Sequence, residues 1–379
     1  MEYIYNMILS ETLDMAAEIA RQFAIYGEFE DIFSFGNGHI NDTFLSRWNQ
    51  AGTTVRYTHQ KINHRIFIHP GEVMENIHRV TSHIRDKLCS AGEKDWSRRV
   101  LTVIPAKDGK LFFRDKNGGW WRTYLFIEGA HTTDKTSSPQ EALFLGASIG
   151  LYQKQLADLP LPRLYDTIPN FHDIEKRYLR FNEAVKNDSC GRVKNAKAEI
   201  DFMLGNAERG AILMTALRKG YIPERICHND TKINNILLDD ETSNTLCVID
   251  LDTVMPGTSL FDVGDLIRTV ATTAAEDEQE LSKITFDITF FKALLEGYLS
   301  EALEFLTPKE IGLIAESGRN LTQIMGLRFL TDYLEGDPYY HISRPEHNLD
   351  RSRNQIALIR SMDSKWEEAL GIVQKLENQ

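Results

Sequence analysis

Between Ile226 and Asp252 the chain places His228-x-Asp230-x-Lys232-x-x-Asn235 in a polar stretch, with Asp250 fifteen residues further on, closing the apolar run Leu246-Cys247-Val248-Ile249. A carboxylate and an amide carbonyl in a tight loop, with a second carboxylate at a strand end, are the groups that hold Mg²⁺ on phosphates and orient an attacking hydroxyl. Phosphoryl transfer gives each a task. Asp230 orients the acceptor hydroxyl and takes its proton, Asn235 and Asp250 hold the ion, and Lys232 offsets charge on the moving group. His228 reads as a packed, hydrogen-bonded loop-former, since the acid–base work already has an occupant. Singly, each Asp or Asn does no more than bond nearby backbone N–H groups; the joint spacing carries the chemistry.

Such a site needs elements that hold a nucleotide. A helix with the stripe Leu13, Ala16, Ala17, Ala20, Phe23 and Ala24, capped by Ser10 and ended by Gly27, precedes two strand-like runs, 32–35 and 43–48. Between them lies Gly36-Asn37-Gly38-His39-Ile40-Asn41. Its glycines let backbone N–H groups approach phosphates closely, or simply make a β-turn. A third strand, 54–62, carries His59, Gln60 and Lys61, and alternation does not choose between Gln60 and Lys61 as the inward residue. Pro70 opens a helix with the stripe Val73, Ile77, Val80, Ile84 and Leu88, flanked by Glu72 and Glu75. A strand Lys paired with a helix Glu clamps nucleotide phosphates, which makes Lys61 and Glu75 candidates. Runs 100–105, 111–115 and 120–127 read as a meander, and the backbone of Phe126, Ile127 and Glu128 offers an edge for adenine.

After Glu128-Gly129 the pattern turns almost wholly helical, giving an α+β chain with an N-terminal nucleotide-binding lobe over 1–127 and a helical catalytic and substrate-binding lobe over 128–379. Helices are expected over 138–159, from Leu266, over 286–305, over 310–334 and at the end, and the charged stretch 174–199 reads as a solvated helical face. A net charge of −12 argues against a nucleic-acid surface. No run approaches the ~20 apolar residues of a membrane span, and the N-terminus lacks a basic region before an apolar one. Four cysteines without metal-type spacing suggest reduced thiols and a cytoplasmic protein.

The central motif resembles that of the protein-kinase-like superfamily, and specifically its aminoglycoside phosphotransferase and choline kinase branch. The lobe order is similar over nearly the whole chain, which implies a bilobal fold with a small antiparallel β-sheet lobe and a mainly helical lobe. Asp262-Val263-Gly264 resembles the Asp-Ile-Gly of the choline kinase type. Protein kinases proper carry Asp-Phe-Gly where this chain has Asp250-Leu251-Asp252, and no Ala-Pro-Glu follows, so a protein substrate is not expected. Within the branch the chain is most similar to the N-acetylhexosamine 1-kinases, on the segments Phe35 to Thr43, Gln60-Lys61-Ile62-Asn63, Trp121-Arg122-Thr123-Tyr124, Arg328 to Leu334 and Asn348-Leu349-Asp350-Arg351. That resemblance implies ATP, Mg²⁺ and phosphorylation of the anomeric hydroxyl of N-acetylglucosamine or N-acetylgalactosamine. A neutral sugar needs convergent donors, acceptors and an apolar face. Arg328, Asp332 and Tyr333 offer that set on one helix, with His39 and Asn41 from the first lobe, although Arg328 and Asp332 also have the spacing of an intrahelical ion pair. The alternatives are another small-molecule kinase of the same fold, acting on an aminoglycoside, choline or homoserine, and a catalytically silent nucleotide-binding regulator.

Overall fold

The computed structural model describes residues 2–36 and 40–378, which divide into two compact units. The first comprises 1–130 together with 163–168 and 251–254; the second comprises the remainder.

In the first unit, helix α1 (Glu2–Ala20) precedes strands β1 (Glu28–Ser34), β2 (Asp42–Gln50) and β3 (Thr53–Ile62). Helix α2 (Pro70–Ser90) and the single turn α3 (Trp96–Arg99) lead to β4 (Val103–Ile104), β5 (Phe113–Arg114) and β6 (Trp120–Leu125). The sheet is antiparallel in the order β1-β2-β3-β6-β4, with β5 also on β6. One face is apolar: Ala16, Ala20, Phe23, Phe44, Trp48, Tyr57 and Trp121 form a single buried cluster. The helix begins at Glu2, so Ser10 lies inside it rather than capping it. It ends before Phe23, which keeps its buried place by bridging to Ala106. The expected meander shrinks to two-residue strands at β4 and β5, because Pro105 lacks an N–H and a turn at Gly109 interrupts the pairing.

On α2 Asn76 turns inward and is fully buried. Its Nδ2 donates to the carbonyls of Tyr165 (2.8 Å) and Val254 (2.9 Å), fastening both returning segments to the unit.

The junction strand β7 (Ala130–His131) leads into the second unit. There α4 (Pro139–Leu156) is capped by Ser138, whose hydroxyl accepts the Glu141 N–H at 3.2 Å. Helices α5 (Ile174–Asn187), α6 (Lys197–Gly205), α7 (Ala207–Gly210) and α8 (Ile212–Arg218) follow. Then come β8 (Arg225–Cys227), the hairpin β9 (Ile236–Asp239) and β10 (Thr245–Val248), and β11 (Met255–Gly257), which pairs with β8. Helices α9 (Ser259–Val270), α10 (Ile288–Ala302), α11 (Pro308–Gly312), α12 (Ile314–Leu334), α13 (His347–Ser364) and α14 (Trp366–Glu377) complete it. The expected helix over 310–334 is split at Leu313, and α9 starts at Ser259 rather than Leu266 because Thr258 caps it. Asp262, Gly264 and Asp265 therefore sit within a buried helix.

Two features organise this unit. The first is α12, buried along almost its whole length against α13, α9 and α5. The second is the crossing of α4 and α10, where glycines let backbones touch. A methyl added at Gly146 would lie 2.0 Å from the Leu294 carbonyl oxygen, and one at Gly297 would lie 1.9 Å from that of Leu143. No helix among the described residues is long and apolar enough to cross a membrane.

Candidate active site

In the second unit, β8 delivers the chain into the loop 228–232, and β11 alongside holds its start through Met255 opposite Cys227. The loop is built on Asp262. This carboxylate is wholly buried on α9 and accepts the backbone N–H groups of His228 (3.0 Å) and Asn229 (2.7 Å), together with the side-chain amide Nε2 of Gln153 (3.0 Å). The Thr231 hydroxyl donates to the Asp262 carbonyl at 2.6 Å. Asn229 adopts the left-handed conformation at φ 66°, which an asparagine tolerates better than most residues. Burial raises the Asp262 carboxyl above its ordinary value, against the pull of these donors.

His228 is also fully buried. Its Nε2 donates to the Ile249 carbonyl (2.8 Å) and its Nδ1 accepts the Asp230 N–H (3.2 Å), so it ties the loop to the end of β10. Asn235 ends a helical turn, and its carbonyl accepts the Ile249 N–H at 2.9 Å. Those bonds bring Asp230, Asn235 and the segment ending in Asp250 together. The Asn235 side-chain amide donates to the Asp230 carbonyl (2.8 Å) and carboxylate (3.3 Å), and Lys232 Nζ lies 3.2 Å from the same carboxylate. Asp250 is exposed and left-handed at φ 60°.

Burial alone would raise the Asp230 carboxyl. Lys232, His228 and Arg328 together outweigh it and hold the group below the ordinary carboxylate range. The Asp230 charge in turn raises the Lys232 ammonium, with Asp265 and Asp250 adding to it.

Of the helix-borne trio, only Arg328 points toward this cluster. Its guanidinium lies over the rings of Phe171 (5.1 Å), Tyr340 (5.5 Å) and Tyr339 (5.8 Å), and the charges of Asp230 and Asp265 act on it. Asp332 does not pair with it. That carboxylate is spent on the backbone N–H groups of Tyr339 (2.9 Å) and Tyr340 (3.0 Å) and on Asn348 (2.9 Å), which shapes the turn carrying both tyrosines. Tyr333 is buried with the Arg192 guanidinium 4.6 Å above its ring. Both were expected at the sugar; side chains four and five positions along a helix are held here by different neighbours.

In the first unit, the pairing of Gln60 with Arg122 and of Lys61 with Trp121 separates the two candidates by face. Gln60 Oε1 accepts from Arg122 Nε (2.9 Å) and Nη2 (2.7 Å), and Arg122 also forms a buried ion pair with Asp252. Asn41 joins them: its Nδ2 donates to Asp252 at 2.7 Å and its Oδ1 accepts the Asn63 N–H at 2.9 Å. Asn41 is thus a structural member of this cluster rather than an open sugar contact. Lys61 lies on the opposite face, 5.9 Å from the Trp121 ring centroid, where, against burial, the Trp121 indole and the Gly119 and Asn117 N–H groups lower the Asp115 carboxyl and the Lys61 charge adds to them. Glu75 is exposed, and among the described residues Lys61 makes no ion pair with it. The expected Lys–Glu clamp is not formed, since α2 turns Asn76 inward instead. His59 sits between Ser46 (2.7 Å) and Thr123 (2.8 Å), and burial lowers its imidazole to about 3.

Gly36 has φ 76° and open space where a Cβ would stand; Asn37, Gly38 and His39 lie outside the described residues. The Phe126 ring packs beneath Arg56 (4.1 Å) and against Phe35 (5.6 Å). Glu128 pairs with Arg56, and its carbonyl accepts Arg98 Nε at 3.1 Å. Among the described residues the backbone of Ile127 makes no hydrogen bond.

Residues 35–306 match APH, the phosphotransferase enzyme family. The chain belongs to that family. Solved phosphotransferase structures agree in fold. An aminoglycoside phosphotransferase from Alicyclobacillus acidocaldarius has a TM-score of 0.58 at 11% identity, covering 96% of each chain. A choline kinase from Cryptosporidium parvum has 0.57 at 15% identity, over 95% of this chain and 97% of that one. A microcompartment-associated aminopropanol kinase has 0.55 at 13%, over 94% and 98%. At these identities the likeness shows the fold alone: the bilobal protein-kinase-like arrangement of a small antiparallel sheet and a mainly helical lobe.

The Asp262 anchor, the Arg122–Asp252 pair and the aromatic frame of Arg328 leave no local pattern in the sequence. Asp262-Val263-Gly264 was visible only as a family resemblance. Nothing in Asp250-Leu251-Asp252 says which carboxylate is exposed and which is locked.

Proposed function

We propose that this phosphotransferase uses ATP and Mg²⁺ to phosphorylate the anomeric hydroxyl of an N-acetylhexosamine. The observation that carries the reading is the cluster of Asp230, Lys232 and Asn235 beside Asp250, with the Arg328 charge acting on Asp230. Asp230, held ionised below the ordinary carboxylate range, is suited to orient a hydroxyl and take its proton. An anomeric hydroxyl is more acidic than an ordinary alcohol, so a carboxylate of low basicity suffices. Lys232 balances charge on the transferred group.

Among the described residues no three His, Cys, Asp or Glu side chains converge as a metal cage. Mg²⁺ bound to a nucleotide needs no such cage, because phosphates and water complete its shell around one or two protein oxygens. Asn235 and the exposed Asp250 fit that demand. The ion, when bound, neutralises phosphate charge. In the first unit Gly36 and the unpaired backbone of Ile127, with Phe126 and Glu128 on either side, suit phosphate and adenine, and Gln60 with Arg122 marks the face that we assign to the nucleotide.

Arg328, framed by three aromatic rings, suits an N-acetylated sugar: the rings cover C–H faces and the guanidinium donates to hydroxyl or acetamido oxygens. The second reading is a cationic acceptor, such as an amino alcohol or aminoglycoside, as in the similar solved structures. A half-buried guanidinium near Asp230 weighs against it by like-charge repulsion. Four unpaired cysteines and the use of ATP support a cytoplasmic location.

A coupled ADP-release screen across hexosamines, amino alcohols and aminoglycosides tests the reading. Turnover with an N-acetylhexosamine and none with choline is expected, and the reverse would overturn it. Phosphorus–proton coupling in the product then assigns phosphate to C1 or C6.

A further inference from the structure

The acceptor side of Asp230 holds more positive charge than a neutral sugar requires. Arg177, on α5, donates through Nη2 to the Phe171 carbonyl at 2.7 Å, while its buried Nε has no partner among the described residues. Arg328 reaches the same Phe171 from α12, and among the described residues its polar contact is a 3.4 Å approach of Nη1 to the Met325 sulfur. The Tyr340 hydroxyl, on the turn that frames Arg328, is buried and also without a partner among the described residues.

Nearby arginines are satisfied differently. Arg180 pairs with Glu335, and Arg192 lies 2.6 Å from Asp337. The carboxylate best spaced to answer Arg328 is Asp332, and it is consumed by the tyrosine turn. Asp230 is matched by Lys232 at 3.2 Å. Burial, with the charge of Arg328, lowers the Arg177 guanidinium to about 10, and burial pushes the Tyr340 phenol up to about 12, so it remains a donor. Two guanidinium groups sharing one apolar frame, with no ion pair among the described residues, are costly to desolvate, and an arriving oxyanion would offset that cost through charge-assisted hydrogen bonds.

We propose that Arg177, Arg328 and Tyr340 form an oxyanion subsite that takes a carboxylate or phosphate carried by the acceptor molecule. Both guanidinium groups and the phenol donate to the oxyanion oxygens, with the reacting hydroxyl of the same molecule toward Asp230. Under the proposed function, on which this assignment rests, the preferred acceptor is an N-acetylhexosamine bearing an acidic substituent.

Inorganic phosphate is the probe. It is titrated calorimetrically into the full chain at constant ionic strength, with ADP and Mg²⁺ saturating. Saturable binding is expected, weakened about tenfold or more in Arg177→Gln and Arg328→Gln and partly restored in Arg177→Lys. The lysine variant, which keeps the charge, covers the case in which glutamine disturbs folding. Equal binding in all forms, or none in the parent, would overturn the subsite. In steady state, phosphate should compete with the sugar, and a carboxylated N-acetylhexosamine should exceed the neutral one about tenfold in kcat/KM. Non-competitive inhibition without that gain would overturn the acceptor-borne assignment and mark a site for a free ion. If no hexosamine reacts at all, the proposed acceptor fails, while the titration still decides the subsite.

Discussion

Asp262 accepts the backbone N–H of Asn229 at 2.7 Å through Oδ1 while its other oxygen takes that of His228. A buried carboxylate under two consecutive amides fixes where the next residue, Asp230, must start. Asp262→Asn replaces one acceptor oxygen with a donor that faces an N–H. We expect a loss of about 2–4 kcal/mol in stability, read from urea unfolding, and a fall in kcat larger than any change in nucleotide affinity.

Asp230→Asn should lower kcat by at least about 10²–10⁴-fold while ADP binding stays nearly intact. Asp250→Asn should instead lose the Mg²⁺-dependent part of nucleotide affinity, measured by titration with and without the metal. Near-normal turnover in the first variant would remove Asp230 from its role.

The pH profile follows from the lowered Asp230 carboxyl. Its burial works upward, but Lys232, His228 and Arg328 work downward and prevail. A carboxyl whose folded value is depressed contributes stability above its unfolded value, and that contribution is lost as pH falls through the folded one. No acid limb from Asp230 should therefore appear in kcat/KM between about pH 5 and 8. Lys232→Met removes a nearby positive charge and should shift the acid limb upward as the remaining activity is followed.

In the first unit, Arg122→Met leaves Asp252 buried without its ion-pair partner and should cost about 3–5 kcal/mol in unfolding free energy. Lys61→Ala, on the opposite face of β3, should change ADP affinity by less than about twofold. A large loss there would restore Lys61 to the phosphates.

The loop was legible because Asp230, Lys232 and Asn235 are local in sequence and Asp250 ends a recognisable strand. Helix periodicity likewise placed α2 and α4 within a few residues. The Arg122–Asp252 pair joins residues far apart in the chain, and neither has a local pattern announcing the other. Gln60 and Lys61 are both polar neighbours on one strand, so only the register with β6 assigns their faces. α9 began earlier than expected because Asp262, Gly264 and Asp265 look like loop residues until each is seen to have a buried partner. For Arg328, Asp332 and Tyr333, spacing put them on one helix, but their neighbours decided which one faces Asp230.

A stability prediction concerns the α4–α10 crossing. Gly297→Ala drives a methyl to 1.9 Å from the Leu143 carbonyl oxygen, too close for a side-chain adjustment to relieve. We expect about 1–3 kcal/mol or more of destabilisation, seen as a lower Tm.

That crossing also bears on chemistry. Tyr298, next to Gly297 on α10, donates to Gln153 on α4 at 2.7 Å, and Gln153 donates to Asp262 at 3.0 Å. The spacing of two helices is thereby relayed through three side chains to the amides that seat Asp230. Glycines with no polar atom to offer a substrate would then score in an activity screen as though they belonged to the catalytic loop, and variants selected for turnover would conserve helix separation as strictly as charge.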